Sequence, residues 1–140
     1  MRFLLDTNVV SEWARPQPDP GLVAWLGGVD EDDLCLSVVT VAELRRGAER
    51  LSPGRRRRAI EEWLARDVLL RFENRLLPLD VAIAEAWGTV TARCESLGRP
   101  IAAMDAFIAA CAAHHALTLV TRNDTDFRHV VQSVLNPWSA

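Results

Sequence analysis

Short, continuous runs of apolar residues alternate along this chain with longer segments whose apolar positions recur at helical spacing. Such runs are typical of strands that are buried on both faces of a sheet. The predicted strands are Phe3–Leu5, 34–39, 76–79, 117–121 and an edge strand at 134–137. Because helical segments separate them, the pattern indicates a central, mainly parallel sheet between two layers of helices, a three-layer α/β/α fold.

Proline, glycine and capping residues mark the predicted helix boundaries. Prolines at 16, 18 and 20 end the first helix, and Asp80 and Gly98 bound the fifth as its N-cap and its stop signal. The predicted helices are 8–14, 21–26, 40–51, 55–72, 80–97 and 101–116. Since the chain contains no long linker and no repeat, we expect residues 1–140 to form one domain.

Acidic residues follow the predicted strands at the sheet edge where parallel α/β folds bind ligands. Asp6 comes directly after the first strand and Glu43 shortly after the second, while Asp105 lies in a strongly apolar helix. Asp6 and Glu43 also have structural interpretations. Asp6 could be a turn or capping residue, and Glu43 could be the partner of Thr40 in a capping box. A helix N-terminus would stabilise Asp105, but its distance from Pro100 disfavours that interpretation.

Two further acids, Asp124 and Asp126, follow the fourth predicted strand, and each alone is typical of a turn. Clustered carboxylates repel one another unless a cation neutralises them. Oxygen donors without nearby His or Cys favour a hard ion, Mg²⁺ or Mn²⁺ as its substitute. Such an ion suits hydrolysis of a phosphodiester, because it activates water and offsets the charge of the phosphate.

Composition narrows the chemistry further. All 16 basic residues are arginine, and neither lysine nor tyrosine occurs, which excludes a phosphate-binding loop with its lysine, a Schiff base and a tyrosine nucleophile. The formal net charge of −3 argues mildly against bulk binding of nucleic acid, although arginines cluster at 55–58. Arg45 and Arg46, beside Glu43, and the arginines at 55–58 form either a phosphate-binding rim or a solvated helix face.

Cysteine usage and the N-terminus bear on the compartment. Three widely spaced cysteines without metal-type pairing favour reduced, buried thiols in a cytoplasmic protein. Asp6 interrupts the N-terminal apolar run before a signal-peptide core forms, and no apolar run approaches the roughly 20 residues of a membrane span. We therefore expect a soluble cytoplasmic protein with no membrane partner.

Four motifs and the C-terminal segment together resemble PIN-domain ribonucleases and, more narrowly, VapC toxins of the FitB-like subgroup. They are MRFLLDTNVV at the N-terminus, TVAELRRG from position 40, GRPIAAMDAFIAA from 98, LVTRNDTDF from 119 and LNPW from 135. Each motif alone is a weak signal, but their order and spacing make the resemblance specific. It extends from one end of the chain to the other.

The resemblance implies a PIN-domain fold, a metal-dependent ribonuclease site, a homodimer and neutralisation by a VapB-type antitoxin. Asp6 and Asp105 would be the principal metal ligands, with Glu43 as a further catalytic acid. It leaves the fourth acid open between Asp124 and Asp126, and it adds contact with the antitoxin as a third interpretation of Arg45 and Arg46. The residues that would support the carboxylates or position a water are Thr7, Asn8, Thr121 and Asn123.

The leading hypothesis is thus hydrolysis of RNA in one step, in which an activated water attacks phosphorus and expels the 3′ oxygen. Two alternatives remain: a catalytically inert PIN-like protein that only engages a partner, and a metal-dependent hydrolase of small phosphate esters. The presence of Asp6, Glu43 and Asp105 argues against the first, and turnover of a simple phosphodiester would indicate the second. Exposed apolar positions in the first two helices and in 51–72 predict a groove for a partner helix.

Overall fold

A five-stranded parallel sheet forms the centre of the computed structural model, which describes residues 1–139. The strands are β1 (Phe3–Leu5), β2 (Leu34–Ser37), β3 (Leu76–Leu77), β4 (Thr118–Val120) and β5 (Val134–Leu135). Their order is β3-β2-β1-β4-β5, and Leu4 of β1 pairs with Cys35 on one side and Leu119 on the other. The predicted parallel sheet is confirmed, and β5 is its edge strand beside β4.

Helices cover both faces of this sheet. They are α1 (Thr7–Trp13), α2 (Pro20–Gly27), α3 (Val38–Glu49), α4 (Arg55–Trp63), α5 (Val81–Ser96), α6 (Ala103–His114) and α7 (Asp124–Phe127). Leu4 packs in a core cluster with Ile108 of α6, whereas the adjacent Leu5 packs in a second cluster with Val9 of α1 and Phe72. Successive β1 side chains therefore serve opposite faces, as expected for a strand between two helical layers. Within residues 1–139, no helix combines the length and the apolar character that crossing a membrane requires.

The second strand and the third helix differ from the prediction. β2 ends at Ser37, whose hydroxyl accepts a hydrogen bond from the Val39 N–H at 3.1 Å and caps α3. Since α3 begins at Val38 rather than at residue 40, Thr40 is not its N-cap. The predicted capping box of Thr40 and Glu43 is therefore wrong, and Glu43 is free for another role.

The helix that carries Asp105 also starts later than predicted. α6 begins at Ala103, so Asp105 lies in its first turn. Asp105 is therefore close to a helix N-terminus, contrary to the prediction from its distance to Pro100. The helix dipole therefore favours the ionised carboxylate.

Two further segments have a different local structure from the one predicted. The helix predicted over 55–72 is divided into α4 and a π-helical segment, Leu64–Leu70. The acidic patch after β4 forms the short helix α7, where turns were predicted. These departures are local and leave the layer architecture unchanged.

All three cysteines are buried and free, as predicted. Burial raises the pKa of Cys35 to about 11 and that of Cys111 to about 12. Both thiols therefore stay protonated at neutral pH and act as small apolar side chains.

The C-terminal segment after β5 folds back against the start of α2. The Ser139 N–H and hydroxyl donate to the two carboxylate oxygens of Asp19 at 2.9 and 2.5 Å, and these bonds lower the pKa of that carboxyl. The backbone also approaches Gly21 closely: a Cβ there would lie 2.5 Å from Ser139 N and 2.6 Å from Pro137 O. Only glycine fits this contact without moving the chain.

We expect Gly21→Ala to lower the free energy of unfolding by about 1–3 kcal/mol, because the added methyl group collides with backbone atoms rather than with a side chain that can rotate. Urea denaturation followed by tryptophan fluorescence measures this loss. Gly27→Ala on the same helix is the matched control, since nothing lies within 4 Å of its added Cβ. Equal stability of the two variants would contradict the close packing of the C-terminal segment.

Candidate active site

Asp6 lies at the C-terminal end of the central strand and is only 5% exposed. Its Oδ1 accepts a hydrogen bond from the Thr7 N–H at 2.8 Å, and its Oδ2 accepts one from the Thr121 hydroxyl at 2.8 Å. The Asn8 amide nitrogen lies 3.4 Å from the same Oδ2. Asp6 therefore caps α1, as one interpretation held, and also presents a fixed carboxylate at the sheet edge.

Thr7 joins Asp6 to the second acid. Its backbone N–H bonds Asp6, while its hydroxyl donates to Glu43 Oε1 at 2.6 Å. Thr40 Oγ1 lies 3.1 Å from the same hydroxyl. The sequence analysis did not identify Thr40 as a supporting residue of the site. Its position three residues before Glu43, on the same face of α3, could have indicated that role.

Burial and neighbouring negative charge disfavour the ionised forms of Asp6 and Asp105. Burial raises the pKa of Asp6 from 3.8 to about 6, and the charges of Asp105 and Glu43 add to the rise, although the hydrogen bonds from Thr121 and Thr7 oppose it. Burial likewise raises the pKa of Asp105, with contributions from the charges of Glu43 and Asp126. The structure thus gathers four acids whose negative charges destabilise one another.

Asp126 and Asp124 lie in different environments. Asp126 shares with Asp105 the wall of a cavity of about 290 Å³. Asp124 instead accepts hydrogen bonds from the Arg128 guanidinium, at 2.8 and 3.1 Å, and from the Asn136 amide at 3.0 Å. These partners lower the pKa of Asp124. The structure therefore brings Asp126 to the acid cluster and holds Asp124 in a separate network.

The other predicted supporting residues surround Thr121. Its hydroxyl oxygen accepts a hydrogen bond from the Asn123 N–H at 3.0 Å and lies 3.4 Å from the Asn8 amide nitrogen. Asn8 in turn accepts a bond from the Arg122 N–H at 3.3 Å. Asn8 and Thr121 thus fix the carboxylate of Asp6, whereas Asn123 contributes its backbone and begins α7 without a side-chain cap.

Of the two arginines beside Glu43, one is already paired. Arg45 forms ion pairs with Glu49 and, at 3.2 Å, with Glu61. Arg46 is exposed and has no ion pair within residues 1–139. For Arg45, the structure favours the solvated helix face among the three interpretations.

The raised pKa of Asp6 predicts a specific effect of pH on stability. Between pH 4 and pH 6 the folded protein retains a proton at Asp6 that the unfolded chain has released, so this residue destabilises the fold increasingly as pH rises. In metal-free buffer, Asp6→Asn should therefore gain stability relative to the parent over this range, by up to about 3 kcal/mol. Urea unfolding across the pH range measures the difference.

The control is Asp124→Asn, for which the expected change in stability with pH has the opposite sign. The pKa of Asp124 is lowered in the folded protein, so its ionised form stabilises the fold above the ordinary pKa and that contribution is lost in acid. The Asn variant should be less stable than the parent at neutral pH and approach it at low pH. A difference between Asp6→Asn and the parent that does not change with pH would show that Asp6 titrates normally.

Comparisons with known proteins identify the family of this chain. Residues 3–132 match the family model of the PIN domain. Toxin FitB from Neisseria gonorrhoeae is 42% identical over 97% of this chain and 98% of its own length, and VapC ribonuclease Y4jK from Sinorhizobium fredii is 34% identical over 97% of both. The crystal structure of FitAcB from Neisseria gonorrhoeae superposes with a TM-score of 0.90 at 41% identity, covering 99% of each chain. The predicted family is therefore confirmed: the chain belongs to the PIN-domain family, in the group that contains toxin FitB and VapC ribonucleases.

Proposed function

We propose that this protein is a Mg²⁺-dependent endoribonuclease that acts as the toxin of a VapBC-type toxin–antitoxin pair. The observation that carries the proposal is the convergence of Asp6, Glu43, Asp105 and Asp126 at one edge of a parallel sheet, where burial and the charges of neighbouring acids raise the pKa of Asp6 and of Asp105. Similarity to a named VapC ribonuclease over nearly the whole chain supports RNA as the substrate.

The donor set fits Mg²⁺, with Mn²⁺ as a substitute. Asp6 and Asp105 would hold the ion, because both are carboxylates whose pKa is raised by burial and by neighbouring negative charge. Within residues 1–139, no three His, Cys, Asp or Glu side chains are grouped closely enough to hold an ion by themselves. Mg²⁺ suits such a site, since it binds through one or two carboxylates and keeps several water ligands.

When bound, the ion supplies an acidified water and offsets the charge of the phosphate. The Thr7 hydroxyl holds Glu43 Oε1, and Oε2 has no hydrogen-bond partner within residues 1–139, so Oε2 is the atom that accepts the proton of the attacking water. Attack in line forms the new P–O bond and breaks the bond to the 3′ oxygen, which takes up a proton from solvent and leaves as a hydroxyl, while the other product keeps a 5′ phosphate. Thr121 and the Thr7 N–H keep the Asp6 carboxylate oriented throughout.

The partner groove predicted from the sequence has a counterpart beside this site. One cavity, of about 150 Å³, is lined by apolar and aromatic residues that include Val10, Trp13 and Phe72. A second, of about 290 Å³, continues toward Thr7 and shares Trp63 with the first. We infer that a helix of a VapB-type antitoxin binds in the first cavity; a homodimer stays a prediction.

Replacing Asp105 by Asn should lower the rate of Mg²⁺-dependent RNA cleavage at least about 100-fold, because the variant keeps the side-chain volume but loses the charge. The same substitution at Asp126 should reduce cleavage strongly, whereas Asp124→Asn should retain most of it. Cleavage of total cellular RNA, with mapping of the new 5′ ends, measures all three.

Outcomes that would contradict the proposal are specific. Cleavage that survives both Asp105→Asn and Asp6→Asn would refute the carboxylate mechanism. Expression of the parent chain without growth arrest or metal-dependent cleavage would indicate an inert binding protein. Turnover of a simple phosphodiester without cleavage of RNA would indicate a hydrolase of small phosphate esters.

Binding of the metal has a readout that does not depend on activity. At pH 7, Mg²⁺ should raise the melting temperature of the parent protein, since an ion that binds only the folded state stabilises it by mass action. The rise should disappear in Asp6→Asn and persist in Asp124→Asn. Equal rises in the parent and in Asp6→Asn, measured by scanning calorimetry, would place the ion elsewhere.

A further inference from the structure

The arginines of this protein fall into two groups according to their partners. Ion pairs with carboxylates hold Arg15, Arg45, Arg57, Arg66, Arg71 and Arg128. The other ten have no ion pair within residues 1–139. Two of these ten, Arg56 and Arg99, line cavities that also contain acids of the candidate active site.

Arg99 lies in the loop that leads into α6. Gly98, with φ of +69°, ends α5 in a left-handed turn, and the Arg99 N–H donates to the Cys94 carbonyl at 2.9 Å. The backbone is therefore fixed while the side chain remains exposed. Arg99 lines the same cavity as Asp105 and Asp126, so a guanidinium and two site acids face one space of about 290 Å³.

Arg56 lines a different cavity, which contains another acid of the site. It lies in the first turn of α4 and lines a second cavity of about 290 Å³ together with Glu43 and Thr7. The adjacent Arg57 turns instead to Glu49 and Glu61 and is partly buried by them. Neighbouring arginines in one helix thus serve different purposes: Arg57 joins α4 to α3, and Arg56 leaves its charge available.

The two cavities have no lining residue in common, and they contain different members of the acid cluster. A substrate that occupies both cavities therefore meets an arginine in each. A polyanion needs such charges there, because the four acids repel it. Guanidinium groups match phosphate oxygens with paired hydrogen bonds, which makes arginine well suited to this contact.

We propose that Arg56 and Arg99 bind backbone phosphates of a single RNA strand on opposite sides of the scissile bond. The inference rests on the proposed ribonuclease function and assigns to it the residues that position the substrate. It differs from the sequence-based hypothesis for Arg45, whose guanidinium is paired with Glu49 and Glu61.

The test compares Arg56→Gln and Arg99→Gln with two matched controls, Arg58→Gln on α4 and Arg93→Gln on α5, which are exposed and line neither cavity. Anisotropy of a fluorescently labelled single-stranded RNA, titrated without divalent metal at several salt concentrations, measures binding alone. The plot of log affinity against log salt concentration has a negative slope, and each loss of a phosphate contact should reduce the magnitude of that slope by about 0.7. In the double variant the magnitude of the slope should fall by about 1.4, and the slopes of the two controls should equal that of the parent.

Cleavage kinetics of the same RNA in Mg²⁺ supply the second readout. Arg56→Gln and Arg99→Gln should raise KM several-fold and change kcat much less, since both groups hold the substrate away from the reacting bond. Parent-like slopes and KM values in both variants would overturn this inference while leaving the ribonuclease function intact. Equal losses in the controls would overturn it too, by showing diffuse attraction. A parent protein that neither binds nor cleaves RNA would overturn both proposals.

Discussion

The candidate site is organised around a carboxylate, Asp6, that is buried at the end of the central strand. β1 lies between β2 and β4, so the chain leaving each of these strands reaches the same edge of the sheet. Asp6 follows β1, α3 brings Glu43 after β2, and Thr121 follows β4 and donates to Asp6 at 2.8 Å. The parallel arrangement therefore assembles the site, because it places the C-terminal ends of all its strands together.

That assembly has an energetic cost. Asp6 has two short hydrogen bonds, yet its pKa still rises to about 6 because burial and neighbouring acids outweigh them. Without a cation, the ionised carboxylate at this position therefore destabilises the folded protein. Functional sites are where proteins tolerate such conflicts, and a divalent cation would resolve this one.

The arginines of the chain divide into those that form ion pairs and those that are available to bind phosphate. An acidic protein with a net charge of −3 is a poor general binder of RNA, and several arginines are engaged in ion pairs such as Arg57 with Glu61. Exposed pairs of this kind contribute little stability, but they remove those guanidinium groups from competition for phosphate. The arginines left without carboxylate partners in residues 1–139 can then act where they lie, and Arg56 and Arg99 lie beside the acids.

The strands of the sheet and the family of the protein were determined by the sequence. Apolar runs identified the strands, and the motifs around Asp6, Glu43 and Asp105 identified the family, since burial on both faces of a sheet leaves a clear pattern. Boundaries shifted by up to two residues, as at the start of α3, where Ser37 caps the helix.

Only the tertiary structure decided what each polar group contacts. Asp124 and Asp126 are two residues apart and alike in sequence, but Asn136 and Arg128 hold the first, whereas the second faces Asp105. Glu43 bonds Thr7, which lies 36 residues away, rather than its own helix start. Local sequence constrains the backbone, but the partners of a side chain are set by chain segments that meet only when the sheet forms.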